Sequence, residues 1–149
     1  SVSKSCVRVA RLFGFDPKVA FLSHSTFGKP ISKNTKHVRD AIEKLKKEKV
    51  DFDFDGEMQP DVALNPIYQE IYPFSKIVGN ANILIMPALH SAAISTKLMK
   101  VFGGGKLIGP LLIGLGQPIE VAPLRASTSE ILNLASIASY SSDVIDYSS

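Results

Sequence analysis

The sequence predicts an α/β domain with three layers, α/β/α, around a mostly parallel sheet that carries one antiparallel hairpin. Three observations lead there. Short apolar runs of strand length alternate with segments of helical period, strand, helix, strand, helix, strand, helix, which is the order of a mostly parallel sheet. One of those runs, "ANILIMP" at 81–87, is apolar throughout, as in a strand buried on both faces in the middle of a sheet. Two further apolar segments, "LIGPLLIGL" and "PIEVAPL", are separated only by Gly116 and Gln117 and should pair as a hairpin. No internal repeat or boundary interrupts the pattern, so residues 1–149 read as a single domain.

The elements follow in order. Val2, Cys6, Val9, Ala10 and Phe13 recur at helical spacing, and Gly14 stops that helix before "DPK" turns the chain. A strand, "VAFLS" at 19–23, leads into the polar loop "HSTFGKPISKN". Val38, Ala41, Ile42 and Leu45 define a second helix at i, i+3, i+4, i+7. A half-buried strand over 50–55 comes next, ending at Gly56, with Val50, Phe52 and Phe54 inward and Asp51, Asp53 and Asp55 outward. The stretch from Asp61 to Tyr72 carries helix interrupted at Pro66, and a helix from about His90 presents Ala93, Ile94, Leu98, Val101 and Phe102 before Gly103–Gly105 end it. Ser127 to Glu130 is a capping-box signature ahead of Ile131, Leu134, Ala135 and Ala138, and a loose tail rich in Ser and Asp closes the chain.

Composition sets limits on function. With 149 residues, 45% hydrophobic and 21% charged, the chain has the make-up of an ordinary globular protein. The formal charge of +3 comes largely from Lys36, Lys44, Lys46, Lys47 and Lys49 on one helix-like segment, where a solvated face explains them, and no basic stripe interleaved with aromatics points to nucleic acid. A single cysteine, Cys6, excludes an internal disulfide framework and fits a reducing compartment, with the cytoplasm as the expected location. The longest strongly apolar run, Leu107 to Leu115, is too short to span a bilayer, so no membrane partner is expected. There is no signal peptide and no initiator methionine, which suggests a piece of something longer.

Familiar motifs fail one at a time. Asp51, Asp53, Asp55 and Gly56 begin like a calcium loop, but the twelfth position is Val62 where a bidentate Glu is required, so no metal site is expected. Gly103–Gly105 are not a phosphate-binding loop, because Lys106 is followed by Leu107 instead of Ser or Thr. His24 and His90 taken singly read as structural histidines, Ser25 lacks a nucleophile elbow, and no Cys/His cluster has zinc spacing. In sheets of this kind, however, ligands sit beyond the carboxyl ends of the strands, and the segments there are "SHSTFG", "GEMQPD" and "MPALHSA", all rich in reactive groups.

Together the blocks "PKVAFLSHSTFG", "FDGEMQPDVALN", "ANILIMPALHSAAISTKLMK", "IGPLLIGLGQPIEVAP" and "SEILNLASIASY" resemble the phosphotransacetylase-type acyltransferase family. Within it they are most similar to the version fused behind the catalytic part of bacterial NADP-dependent malic enzymes. The likeness corresponds to the second half of such a domain, and implies an isocitrate/isopropylmalate dehydrogenase-like fold. It also implies a cleft whose opposite wall lies in the other half. The family transfers acetyl between coenzyme A and phosphate, which calls for cations and oriented donors around the phosphate and a base for the thiol.

Active members carry a Ser-Arg-Gly segment before the last helix and an Asp on its first turn. Here Pro123, Leu124 and Arg125 stand at the first three positions and Glu130 at the fourth. Arg125 and Glu130 are therefore the catalytic candidates, with Glu130 also explained as a capping residue. The resemblance makes Ser23, His24, Ser25, Thr26, Lys29, Glu57, Gln59, Asp61, His90 and Ser91 the ligand-binding candidates, and Lys29 and Arg125 the cations for a coenzyme A phosphate. It implies a regulatory and oligomerisation domain that senses acetyl-CoA or a related acyl-CoA and associates with itself as a homodimer or higher oligomer. NADP and a divalent metal would belong to an absent N-terminal part that oxidatively decarboxylates malate to pyruvate. The alternatives are a fragment of an active phosphate acetyltransferase and a module for self-association only.

Overall fold

The structure is a computed structural model that describes residues 2–105 and 107–144. The chain divides into two compact units, Ser1–Thr96 and Lys97–Ser149. The first is organised by a three-stranded, wholly parallel sheet in the order β2-β1-β3, with β1 at Lys18–Leu22, β2 at Asp53–Met58 and β3 at Ile83–Ile85.

β1 shows why this unit has three layers. Its side chains alternate across the sheet: Val19 and Phe21 join a core with Val7, Val38, Ile42, Leu45, Phe54 and Ile83, whereas Ala20 and Leu22 face Met58, Ala63, Ile77 and Ala81. Helices α1 (Val2–Leu12) and α2 (Lys36–Lys47) supply the first cluster, and α3 (Pro60–Leu64) contributes Ala63 to the second. A strand covered on both faces needs apolar residues at successive positions, which is what "VAFL" provides.

The expected elements hold with shifts that have physical causes. α2 buries Val38, Ile42 and Leu45 as the periodicity requires, after a short 3-10 turn at Lys33–Thr35. α1 ends before Gly14, which adopts φ +78 at no steric cost, but its buried line runs through Ser3 and Val7 while Val2 and Phe13 stay exposed. The expected apolar face is thus rotated toward Ser3 and Val7, with Cys6 and Ala10 of that face packed against the core only in part. The helix interruption near Pro66 is present: α3 ends at Leu64, and Asn65 caps a 3-10 turn at Pro66–Gln69 by accepting from the Ile67 N–H at 3.2 Å. The next helix, α4, spans Leu89–Phe102 and closes with the Gly103 N–H on the Met99 carbonyl at 2.8 Å.

Three expectations are corrected. The strand expected over 50–55 begins only at Asp53, leaving Val50 and Phe52 before it and partly buried, and it does not stop at Gly56 but continues to Met58, with an irregular register: Phe21 pairs with Gly56 and Leu22 with Met58, so Glu57 has no partner across the ladder. This is a bulge, and it turns both Glu57 and Met58 inward. Only glycine fits before it, since a Cβ on Gly56 would lie 2.6 Å from the Phe21 carbonyl oxygen. β3 is an edge strand of the described sheet and not its middle; β1 is the one with partners on both sides. The hairpin is absent among the described residues, with no strand assigned over 107–122. Pro110 and Pro118 remove ladder donors and three glycines weaken the segment, and the Leu112 N–H bonds instead to the Glu120 carboxylate at 3.3 Å.

In the second unit, α5 (Thr128–Val144) starts with the expected capping box: the Ser127 N–H donates to Glu130 Oε2 at 2.7 Å and the Glu130 N–H to Ser127 Oγ at 3.3 Å. The helix runs beyond the expected start of the loose tail, whose residues 145–149 lie outside the described residues.

Candidate functional site at the carboxyl ends of the strands

Because β1, β2 and β3 are parallel neighbours, the segments that follow them emerge at one edge of the sheet. Two of these segments are knit together. The Ser23 N–H donates to the Met58 carbonyl at 2.9 Å and the Phe27 N–H to the Glu57 carbonyl at 2.7 Å. Side chains finish the joint: the Gln59 N–H donates to Thr26 Oγ1 at 3.1 Å, and Gln59 Nε2 to the His24 carbonyl at 2.8 Å. Thr26 and Lys29 exchange backbone bonds around Phe27 and Gly28, both at positive φ, which is a type I′ turn. Phe27 pays backbone strain at φ 48, and its ring is anchored against Phe74 and Tyr72, with centroids 4.8 and 5.4 Å away.

Glu57 is the centre of this edge. Its side chain is 1% exposed, and Oε1 accepts from Ser25 Oγ at 2.9 Å, from the Gly28 N–H at 3.2 Å and from Arg39 Nη1 at 3.0 Å. Arg39 also donates to Thr35 Oγ1 and, through Nη2, to the Ser32 carbonyl at 3.2 Å. A buried carboxylate needs such a partner, because an unpaired charge there is far costlier than a paired one. Ser25 is fully buried, and Ser23 lies 3.3 Å from it, oxygen to oxygen. Ser23, Ser25, Thr26 and Glu57 thus spend their hydrogen bonds on the protein, and the bulge is what aims Glu57 at them.

The remaining candidates are distributed differently. His24, Lys29, Asp61 and His90 are exposed, and Gln59 is half-buried. Asp61 lies beside Tyr68 and, by its charge and a hydrogen bond, holds that phenol above its usual pKa. Ser91 Oγ donates to the Ala88 carbonyl at 2.7 Å and accepts from the Ala88 N–H at 3.3 Å, capping the start of α4 within its own segment. Arg125 is exposed with no hydrogen bond or ion pair among the described residues. Glu130 is held by the capping box and faces Lys100 at 3.8 Å across a pit of about 30 Å³, room for little more than a water. The three aspartates of the failed calcium motif do not converge: Asp51 pairs with Arg11 at 2.9 Å, Asp53 is exposed, and Asp55 accepts from the Lys76 N–H at 2.8 Å.

Sequence reasoning missed Arg39, whose partner is 18 residues away. The legible signal was Thr35 four residues earlier, at the N-cap of α2, within reach of Arg39 on the first turn.

The family described as phosphate acetyl/butaryl transferase matches residues 1–139. The chain belongs to that family. Among members of this transferase family, the phosphotransacetylase of Streptococcus pyogenes superposes with TM-score 0.89 at 33% identity, covering 95% of this chain and 44% of that one. The phosphate acetyltransferase of Staphylococcus epidermidis ATCC 12228 is 36% identical over 91% of this chain and 43% of its own length. The NADP-dependent malic enzyme of Rhizobium meliloti is 45% identical over 93% of this chain, which spans only 18% of the malic enzyme. The chain therefore corresponds to under half of the transferases it matches and under a fifth of the malic enzymes. Among the described residues, no helix is long and apolar enough to cross a membrane.

Proposed function

We propose that this chain is the phosphotransacetylase-like regulatory and oligomerisation part of an NADP-dependent malic enzyme, cytoplasmic and responsive to acetyl-CoA or a related acyl-CoA. What carries the reading is that Pro123, Leu124 and Arg125 stand where the resemblance puts a Ser-Arg-Gly segment, together with a Glu130 whose carboxylate caps α5. A transferase needs a cation fixed at the developing charge, and a lost transition-state donor costs on the order of 100- to 1000-fold in rate. Ligand recognition asks less, and exposed Lys29 with His24, Gln59 and His90 in the first unit suits an anionic acyl-CoA; Arg125 is a further exposed cation, in the second unit. Identity of 45% to a malic enzyme against 36% to a phosphate acetyltransferase supports the same choice. NADP and a divalent metal belong to the remainder of such a polypeptide, since no dinucleotide fingerprint occurs in this sequence. Exposed Ile94, Leu98, Val101 and Phe102 on α4 support self-association.

The test is isothermal titration of acetyl-CoA into the full-length parent chain, with malate oxidation followed in parallel. Saturable binding that alters malate oxidation and weakens in His90→Ala and Arg125→Ala is expected. Failure of the parent to bind any acyl-CoA contradicts the sensing role and leaves self-association, for which sedimentation at tens of micromolar is the check. One observation favours the active-transferase alternative: Arg125 is unpaired among the described residues and stands one position from where the resemblance puts the family's arginine.

A further inference from the structure

At the opposite edge of the first unit, before the strands begin, α1 and the connection from α2 to β2 enclose a groove of about 460 Å³. Lys4, Arg8 and Arg11 lie on one face of α1 at i, i+4 and i+7, and Lys49 comes from the connection. Glu48 and Asp51 are the carboxylates of the lining, so four cations face two anions and the groove is left with two positive charges. The pairing is uneven. Lys4 Nζ is 2.6 Å from Glu48 Oε2, and Arg11 holds Asp51 through its carboxylate at 2.9 Å and its carbonyl at 3.0 Å. Those pairs join the two walls. Arg8, between them, reaches only Ser5 Oγ at 3.5 Å, and Lys49 has no ion pair among the described residues.

Lys49 also stands where a lysine is unexpected. It follows the C-cap of α2 at φ 45, the left-handed position that glycine or asparagine normally takes after a helix. A charged side chain kept there at the expense of backbone strain points to use of its ammonium. The floor is apolar, with Val7 and Phe52, and the volume exceeds what a bare ion requires.

We propose that this groove binds a small organic phosphate dianion, with Arg8 and Lys49 as its charge partners and Phe52 in contact with the organic body. A phosphate monoester carries close to two negative charges at neutral pH, which matches the unpaired cations, and guanidinium with ammonium is a common phosphate-binding combination. The site is independent of the acyl-CoA reading, because it lies at the other end of the parallel strands.

The probe is phenyl phosphate, titrated by calorimetry into the full chain, with inorganic phosphate and the monoanion phenyl sulfate as comparisons. Saturable binding of phenyl phosphate is expected, tighter than either comparison, and about tenfold weaker in Arg8→Gln and in Lys49→Gln. Lys29→Gln, at the carboxyl edge, should leave it unchanged. Lys49→Gly should lose affinity to the same extent while raising the unfolding temperature, which separates a ligand-binding lysine from a structural one. The proposal is overturned by the absence of saturable binding at millimolar phenyl phosphate, or by wild-type affinity in both Arg8→Gln and Lys49→Gln. An equal loss in Lys29→Gln, showing response to net charge alone, overturns it as well.

Discussion

The two units of the chain stabilise themselves in different ways. Ser1–Thr96 contains both apolar clusters, one on each face of β1, and the Glu57–Arg39 joint. In Lys97–Ser149, Leu134 is the one buried apolar residue among those described, while Leu112, Leu115, Ile119, Val121, Leu124, Ile131 and Leu132 are exposed. The second unit is as rich in apolar side chains as the first but buries few of them. Apolar content therefore does not by itself give a core; the first unit has one because its strand alternates in register with two helical faces.

That contrast breaks first if the units respond alike to truncation. Phe21→Ala should cost about 3–5 kcal/mol, since it opens the cluster shared by α2, β1 and β2. Leu134→Ala should cost about 2 kcal/mol, at the low end for a leucine, because its surroundings can collapse around it. Denaturant midpoints measured on both variants decide this, and equal losses would place a real core in the second unit.

The joint at the sheet edge sharpens the comparison. Arg39→Gln should destabilise by about 3 kcal/mol, the lower range for breaking a buried pair, because Arg39 itself is 35% exposed whereas Glu57 is 1% exposed. Glu57→Gln in the same background should recover part of the loss by removing the orphaned charge, a coupling that a double-mutant cycle in urea reads directly.

Much of the fold was legible because it is local. β1 and α2 announce themselves by apolar runs and by Val38, Ile42 and Leu45 at helical spacing, and the Ser127–Glu130 cap by two residues three apart. What was not legible is non-local. Nothing between Gly56 and Met58 signals a bulge, since it arises from pairing with Phe21 and Leu22 across the sheet. Glu57 looks from sequence like a ligand-binding group, and only the fold brings Ser25 and Arg39 to it. The hairpin failed for a different reason: the apolar content of "LIGPLLIGL" suggested a strand, but Pro110 and the glycines outweigh it when no partner strand fixes the register.

Smaller effects test the second unit and the surface. Ser127→Ala should cost about 1 kcal/mol, as an N-cap loss does, with α5 amides exchanging faster with solvent. Bonding to Arg11 holds Asp51 below its ordinary pKa, and Lys4 does the same for Glu48. A lowered carboxylate pKa stabilises the fold above the unfolded value and loses that contribution as pH falls through the folded one. These pairs should therefore cost stability only below about pH 4, and little in high salt because they are exposed. Thermal midpoints between pH 7 and pH 3, with and without salt, measure it.

On the proposed reading, this family member recognises acyl-CoA without turning it over. The most direct measurement is phosphate-dependent formation of acetyl phosphate from acetyl-CoA by the full-length parent chain, assayed beside an active phosphate acetyltransferase. The expected rate is at least about 100-fold below that enzyme, in line with the proposed loss of a cation at Leu124. Turnover within the usual enzyme range, about 1–1000 per second, that disappears in Arg125→Ala would contradict it and make Arg125 the catalytic cation.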